Sequence, residues 1–237
     1  MVAPESWLQS QHLTPERLEG YRAQYREHPA GALVLRDFFQ PEVAMSLARF
    51  LAEEALFDMR YKLTTHDDYV PEDAWYAAPP GDRFYVMSMM AGVRPECRLS
   101  RNVMTFLRFR SEFFGAPFLR FFEQACGVTL DGGDLSPRVM ARSHFVSPHI
   151  DDFDRRHVAF ALYLSPDWRP EYGGALHFVT RDGGTVRMEA EYNSIVLFDA
   201  TRATLHYVSE VLPEAGTHRR FSVGGWLYAP RAVSFAP

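Results

Sequence analysis

Three places in the chain carry residue types from which a reactive centre could be built. His149-Ile150-Asp151 sets an imidazole and a carboxylate two residues apart, and on an extended chain such residues point to the same side. Leu205-His206-Tyr207-Val208 supplies a second imidazole much later in the sequence. Two imidazoles and one carboxylate on one face of a metal leave the opposite positions open. That suits Fe(II), because O2 and a bidentate co-substrate need those positions. A set made of carboxylates alone would suit Mg2+ or Ca2+ better. His-x-Asp alone occurs by chance in many proteins, so the reading rests on the whole set.

The third place is Arg220, in His218-Arg219-Arg220-Phe221-Ser222-Val223-Gly224-Gly225-Trp226. An arginine opening an apolar strand is ordinarily a solvated flank. Facing into the mouth of a barrel, its planar fork can instead hold a carboxylate by two parallel hydrogen bonds. Ser222 faces the same way and can donate another. The distal carboxylate of 2-oxoglutarate fits this anchor, while its keto acid end would chelate iron.

Positioning these groups requires strands, and the second half of the chain supplies them. From Ser136 onward, short runs of β-branched and aromatic residues alternate with Gly, Pro and Asp turns: RVMARSHFV, RHVAFALYL, GALHFVT, GTVRMEA, SIVLFDA, LHYVSEV and RRFSVGGWLY. This spacing predicts a sandwich or barrel, with Asp182-Gly183-Gly184 as a hairpin turn. The first half reads as helices around a short strand. Thr14-Pro15-Glu16 caps a helix running to about Glu27, Ala32 to Phe39 reads as a strand, and Pro41 opens a second helix. Helices from about Ser100 to Phe114 and from Pro117 to Cys126 carry a phenylalanine stripe whose spacing predicts core packing. Between Asp58 and Asp82 the pattern breaks down, and this aromatic stretch reads as a lid or a plain surface loop.

Composition narrows the function. With 237 residues the chain is long enough to bury a core without disulfides or a structural metal, so a metal here would be functional. A formal charge of −5 argues against a general nucleic-acid or anionic-membrane binder. The two cysteines, Cys97 and Cys126, form no spaced framework, and the start of the chain has neither a signal-peptide pattern nor any membrane-spanning run. A reducing cytoplasm is the expected compartment.

The order His-x-Asp, second His, then Arg-x-Ser on the last strand resembles the Fe(II)/2-oxoglutarate-dependent dioxygenases, most closely their prolyl-hydroxylase-like branch. SHFVSPHIDD, RRHVAFALYLSPDW, EYGGALHFV, HYVSEV and RRFSVGGWLY carry the likeness over Ser136 to Tyr228, and ALVLRDFFQPEVAMSLARFL resembles the family's lead-in. The resemblance implies one oxygenase domain over 1–237, with 136–230 as a double-stranded β-helix (jelly roll) core and 1–135 as mainly helical support with a lid. It places His149, Asp151 and His206 on the metal positions, Arg220 on the co-substrate anchor, and Tyr163 in the 2-oxoglutarate pocket. It also implies Fe(II), 2-oxoglutarate and O2, with ascorbate as a candidate reductant. The implied reaction is hydroxylation of a small-molecule or peptidyl substrate with release of succinate and CO2. Related halogenases have a small residue at the carboxylate position, so Asp151 favours hydroxylation, desaturation or ring formation. One departure stands out: related proteins often carry a tyrosine some nine residues before the first histidine, and this chain has Val139-Met140-Ala141.

Neighbouring residues have plainer readings. Asp152 points away from His149 on an extended chain, and Asp154 reads as a turn residue. His144, His157, His177 and His218 read as surface or structural histidines, Arg155 and Arg156 as solvated charge, and Trp226 as barrel packing. A jelly roll that binds a metal or ligand without oxidative chemistry, or an inactive descendant serving as an interaction module, are the non-enzymatic alternatives.

Overall fold

The computed structural model describes residues 4–151, 153 and 155–231. Helix α1 (Pro15–Glu27) begins where the capping pattern puts it, the Thr14 hydroxyl accepting from the Arg17 amide at 3.3 Å. Strand β1 spans only Ala32–Leu35, short of the expected Phe39. Asp37 turns the backbone at φ +50°, and Phe38 and Phe39 drop into the core. There Asn193 exchanges two 2.9 Å hydrogen bonds with the Phe39 backbone, satisfying groups that a strand partner would otherwise take. Helix α2 (Pro41–Arg49) passes into a π turn, Phe50–Glu54.

The stretch expected to lack a pattern departs most from the sequence reading. Its first residues belong to β2 (Ala55–Leu63), which pairs antiparallel with β3 (Arg83–Val93) just beyond its far end, with the short helix α3 (Glu72–Ala77) between them. Neither strand alternates cleanly between buried and exposed positions. The period-two signal that reveals a half-buried strand is therefore missing.

Helices α4 (Arg101–Glu112) and α5 (Ala116–Cys126) match expectation, and α5 stops at Gly127, whose φ of +74° suits a left-handed cap. Their phenylalanines are core residues: Phe113 touches the ring of Phe160 at 5.2 Å and that of Phe109 at 4.8 Å.

The remaining strands are β4 (Gly133–Met140), β5 (Phe145–His149), β6 (Arg156–Tyr163), β7 (Leu176–Val179), β8 (Thr185–Met188), β9 (Ser194–Asp199), β10 (His206–Val208) and β11 (Arg220–Tyr228). They run in the order β1-β9-β6-β11-β4-β3-β5-β10-β7-β8, with β2 beside β3, every pair antiparallel. The sheet curls into the expected jelly roll, with the helices packed on one face. Asp182-Gly183-Gly184 lies in the turn joining β7 to β8, Gly183 at φ +82°.

Gly225 is required where β11 meets β4. A Cβ there would lie 2.0 Å from the Asp134 carbonyl oxygen, a collision with backbone. Gly225→Ala should cost roughly 1–3 kcal/mol by forcing the two strands apart. Denaturant unfolding measures this, and a variant as stable as the parent would contradict it.

Among the described residues, no helix is long and apolar enough to cross a membrane. Cys97 and Cys126 are free thiols, and Cys126 is buried.

Candidate active site

Antiparallel pairing of β5 with β10 puts His149 directly opposite His206. Their ring centroids are 4.2 Å apart, and Asp151 follows β5 into the same space. The Asp151 carboxylate lies 3.8 Å from His149 Nε2 and 3.5 Å from His206 Nε2. One ligand atom from each of the three residues falls within 4.8 Å of the others.

Each histidine points Nδ1 at a main-chain carbonyl, His149 at Ser147 (2.9 Å) and His206 at Thr204 (3.0 Å). A carbonyl accepts only, so Nδ1 carries the proton and Nε2 presents its lone pair to the cluster. Burial, then the neighbouring His206, pushes the His149 pKa below its ordinary value, which favours the neutral, ligating form. Burial opposes ionisation of Asp151, but the neighbouring imidazoles, His206 first and then His149, outweigh it and hold the carboxyl below its usual range.

The donor set suits a ferrous ion. Two ligands at right angles, each about 2.1 Å from a metal, stand about 3 Å apart. The two imidazole–carboxylate separations, 3.8 and 3.5 Å, exceed that by about half an ångström to an ångström.

Arg220 is 5% exposed, and β11 turns it into the same interior. Its Nη1 donates to the Gly174 carbonyl, its guanidinium sits 5.3 Å from the Tyr163 ring, and its buried Nε has no partner among the described residues. Ser222 pairs across the sheet with Tyr163 on one side and Arg138 on the other. A buried guanidinium with a donor to spare, beside a hydroxyl and a phenol, fits a carboxylate.

These residues line one cavity of about 790 Å3. Its wall is largely apolar, including Phe84, Met87, Met140, Leu176, Phe198 and Val208. Lys62 and Leu63 at the end of β2, and Thr64, His66 and Asp67 just after it, also reach it.

Trp226 packs against the barrel core as expected, and it also faces the cavity. One plainer reading is overturned. Arg156 is not free solvated charge: its guanidinium stacks 3.6 Å from the Trp226 ring and 3.9 Å from the Asp151 carboxylate. Asp152 and Asp154 lie outside the described residues. His177 stacks on Tyr207 and His218 on Tyr172, and neither belongs to the metal cluster.

Sequence reasoning missed Tyr85 and Arg138. Tyr85 lies on the unrecognised β3 and lines the cavity, so a phenol is present although position 140 is Met. Arg138 shares with Met140 the interior face of β4, a placement that follows only from its pairing with Ser222.

A curled antiparallel sheet with this cluster inside defines a class. Residues 135–228 match the model of the 2OG-Fe(II) oxygenase superfamily, and the likeness is to its prolyl-hydroxylase-like branch. The family carries with it Fe(II), 2-oxoglutarate and O2. Among curated proteins the chain is 32% identical over 113 residues to mouse prolyl 3-hydroxylase OGFOD1, covering 43% of this chain and 20% of that protein. It is 34% identical over 101 residues to the Xenopus laevis protein of the same name, covering 38% and 19%. The chain thus spans about a fifth of the length of these relatives.

In fold it is similar to a Pseudomonas putida prolyl-4-hydroxylase, with a TM-score of 0.60 and 18% identity over 90% of this chain and 100% of that one. A prolyl hydroxylase from Trichoplax adhaerens, solved with a hypoxia inducible factor peptide fragment, is also similar, with a TM-score of 0.53 and 13% identity over 91% and 93% of the two chains.

Proposed function

We propose that this protein is an Fe(II)- and 2-oxoglutarate-dependent dioxygenase that hydroxylates an unactivated C–H bond of a prolyl, amino-acid-like or natural-product substrate. The observation that carries the reading is the convergence of His149, Asp151 and His206 in a cavity that also holds Arg220. The prolyl hydroxylases among its relatives support a prolyl-like substrate, peptidyl or free.

In this reading His149 and His206 ligate through Nε2, and Asp151 supplies the carboxylate. Fe(II), when bound, supplies the activation of O2 that couples decarboxylation of 2-oxoglutarate to oxidation of the substrate. Arg220 and Ser222 hold the distal carboxylate of the co-substrate, with the Tyr163 ring packed against the guanidinium. That leaves the keto acid end free to reach the metal. The Ser147 and Thr204 carbonyls keep both imidazoles in the ligating tautomer. The apolar wall excludes water from the reacting centre and limits unproductive turnover. The segment between β2 and β3 acts as the substrate-facing rim, and ascorbate serves as the external reductant. Desaturation, ring formation or epimerisation would use the same groups with a different fate for the substrate.

The test is succinate release from 2-oxoglutarate by the purified chain, with and without Fe(II) and with chelator. Release that requires Fe(II) and O2 is expected. Metal and 2-oxoglutarate binding without succinate, with every candidate substrate tried, would favour a ligand-binding jelly roll.

A further inference from the structure

Arg138 is a cavity residue with no task in the reaction as described. It makes no hydrogen bond and no ion pair with any described residue, and its Nε is sealed from solvent without a partner. An ideal Cβ on Gly224 would lie 3.4 Å from Arg138 Nη1 and 3.5 Å from Cζ, so the guanidinium rests over the side-chain-free face of Gly224. It also stands 6.0 Å from the Trp226 ring. That ring holds Arg156, which in turn stands 3.9 Å from Asp151.

Arg138 connects to the metal end of the cavity through Trp226 and Arg156. Arg220, four residues before Gly224 on β11 and about 13 Å of extended backbone from it, is tied to Gly174. The two guanidiniums rest on different partners within one cavity.

The charges point the same way. Among the described residues deep in the cavity, Arg138, Arg156 and Arg220 face a single carboxylate, Asp151; Lys62 and Asp67 offset each other at the rim. A divalent metal adds two positive charges, and a 2-oxoglutarate dianion removes only two of the resulting surplus. Buried charge left unpaired is costly, and arginine cannot shed its proton to avoid it.

We propose that Arg138 is a second carboxylate site, and that the molecule oxidised here is an acid whose carboxylate Arg138 holds beside the metal. This rests on the dioxygenase reading and deepens it: a free carboxylic acid, such as an amino acid or acyl acid, is preferred over an internal peptide residue, which has no carboxylate to offer. The same guanidinium could instead meet the keto acid carboxylate of 2-oxoglutarate, and the experiment separates the two sources.

The full chain is loaded with Mn(II) and saturating 2-oxoglutarate without O2, and binding is followed by calorimetry. The probes are L-proline, N-acetyl-L-proline and hexanoate, each against its primary amide. At least one acid should bind about 10- to 100-fold more tightly than its amide, the range for a charge-assisted hydrogen bond. Arg138→Gln should erase that preference while changing the affinity for 2-oxoglutarate by less than about threefold. Arg138→Lys, which keeps the charge, should restore part of it.

Acids and amides that bind alike to the parent protein would overturn the proposal, whether or not the Gln variant folds. So would an Arg138→Gln variant that loses 2-oxoglutarate as severely as it loses the acids, since the group held would then be the co-substrate's own. The dioxygenase reading is judged separately, by whether 2-oxoglutarate binds the Mn(II)-loaded parent protein at all.

Discussion

A His206→Ala variant should lose Fe(II)-dependent succinate formation by well over about 100-fold while keeping its fold. Removing an outer hydrogen-bond partner of a metal ligand typically costs roughly 10–100-fold, and removing the ligand itself costs more. The effect should be specific. His206 is 4% exposed, packed against the rings of Phe198 and Phe178, and its ring is the only bridge from β10 to the Asp151 carboxylate recorded among the described residues. Without it, the remaining imidazole and carboxylate would hold a divalent ion only weakly. His149→Ala should behave alike, because the two histidines face each other across one antiparallel pair. Succinate assays beside circular dichroism and thermal melts measure both effects. Substantial turnover in a folded His206→Ala protein would remove this residue from the metal site.

Replacement of Arg220 should give a different signature. Arg220→Gln leaves the metal cluster untouched but takes away the proposed partner of a desolvated carboxylate. The expected loss is roughly 2–5 kcal/mol, or about 30-fold to a few thousand-fold in affinity for 2-oxoglutarate. The KM for 2-oxoglutarate should rise by that range, while Mn(II) binding stays within about threefold. Arg220→Lys should recover little, because an ammonium cannot reproduce the fork that bonds the Gly174 carbonyl while offering further donors. An unchanged 2-oxoglutarate dependence in Arg220→Gln would place the anchor elsewhere.

The sequence exposed those parts of the site whose chemistry is unusual for their position. His149 and Asp151 at alternating positions, a second histidine on a later strand and an arginine opening an apolar run are each weak signs. Their order along the chain made them strong together. The phenylalanine stripes of α4 and α5 were readable because helical spacing repeats over several turns.

Groups whose meaning depends on strand pairing stayed hidden. Tyr85 and Arg138 look like an ordinary aromatic and an ordinary charge until β3 and β4 are laid beside their neighbours. Arg156 belongs with them, because its stacking on Trp226 joins two strands that only the sheet brings together. Strand β1 was read too long because nothing in ALVLRDFF signals that Asn193, far along the chain, will capture the Phe39 backbone.

Strand β3 sits in the middle of the sheet order, between β4 and β5. On one side of it lie β5 and β10, bearing the two histidines; on the other lie β4 and β11, bearing Arg138 and Arg220. Among the described strands, the ladder joins these sides only through short pairings, Ser88 and Met89 to β4 and Tyr85 and Val86 to β5. In the proposed reading, the distance a dicarboxylic acid must span from metal to anchor would depend on a strand that contributes neither end.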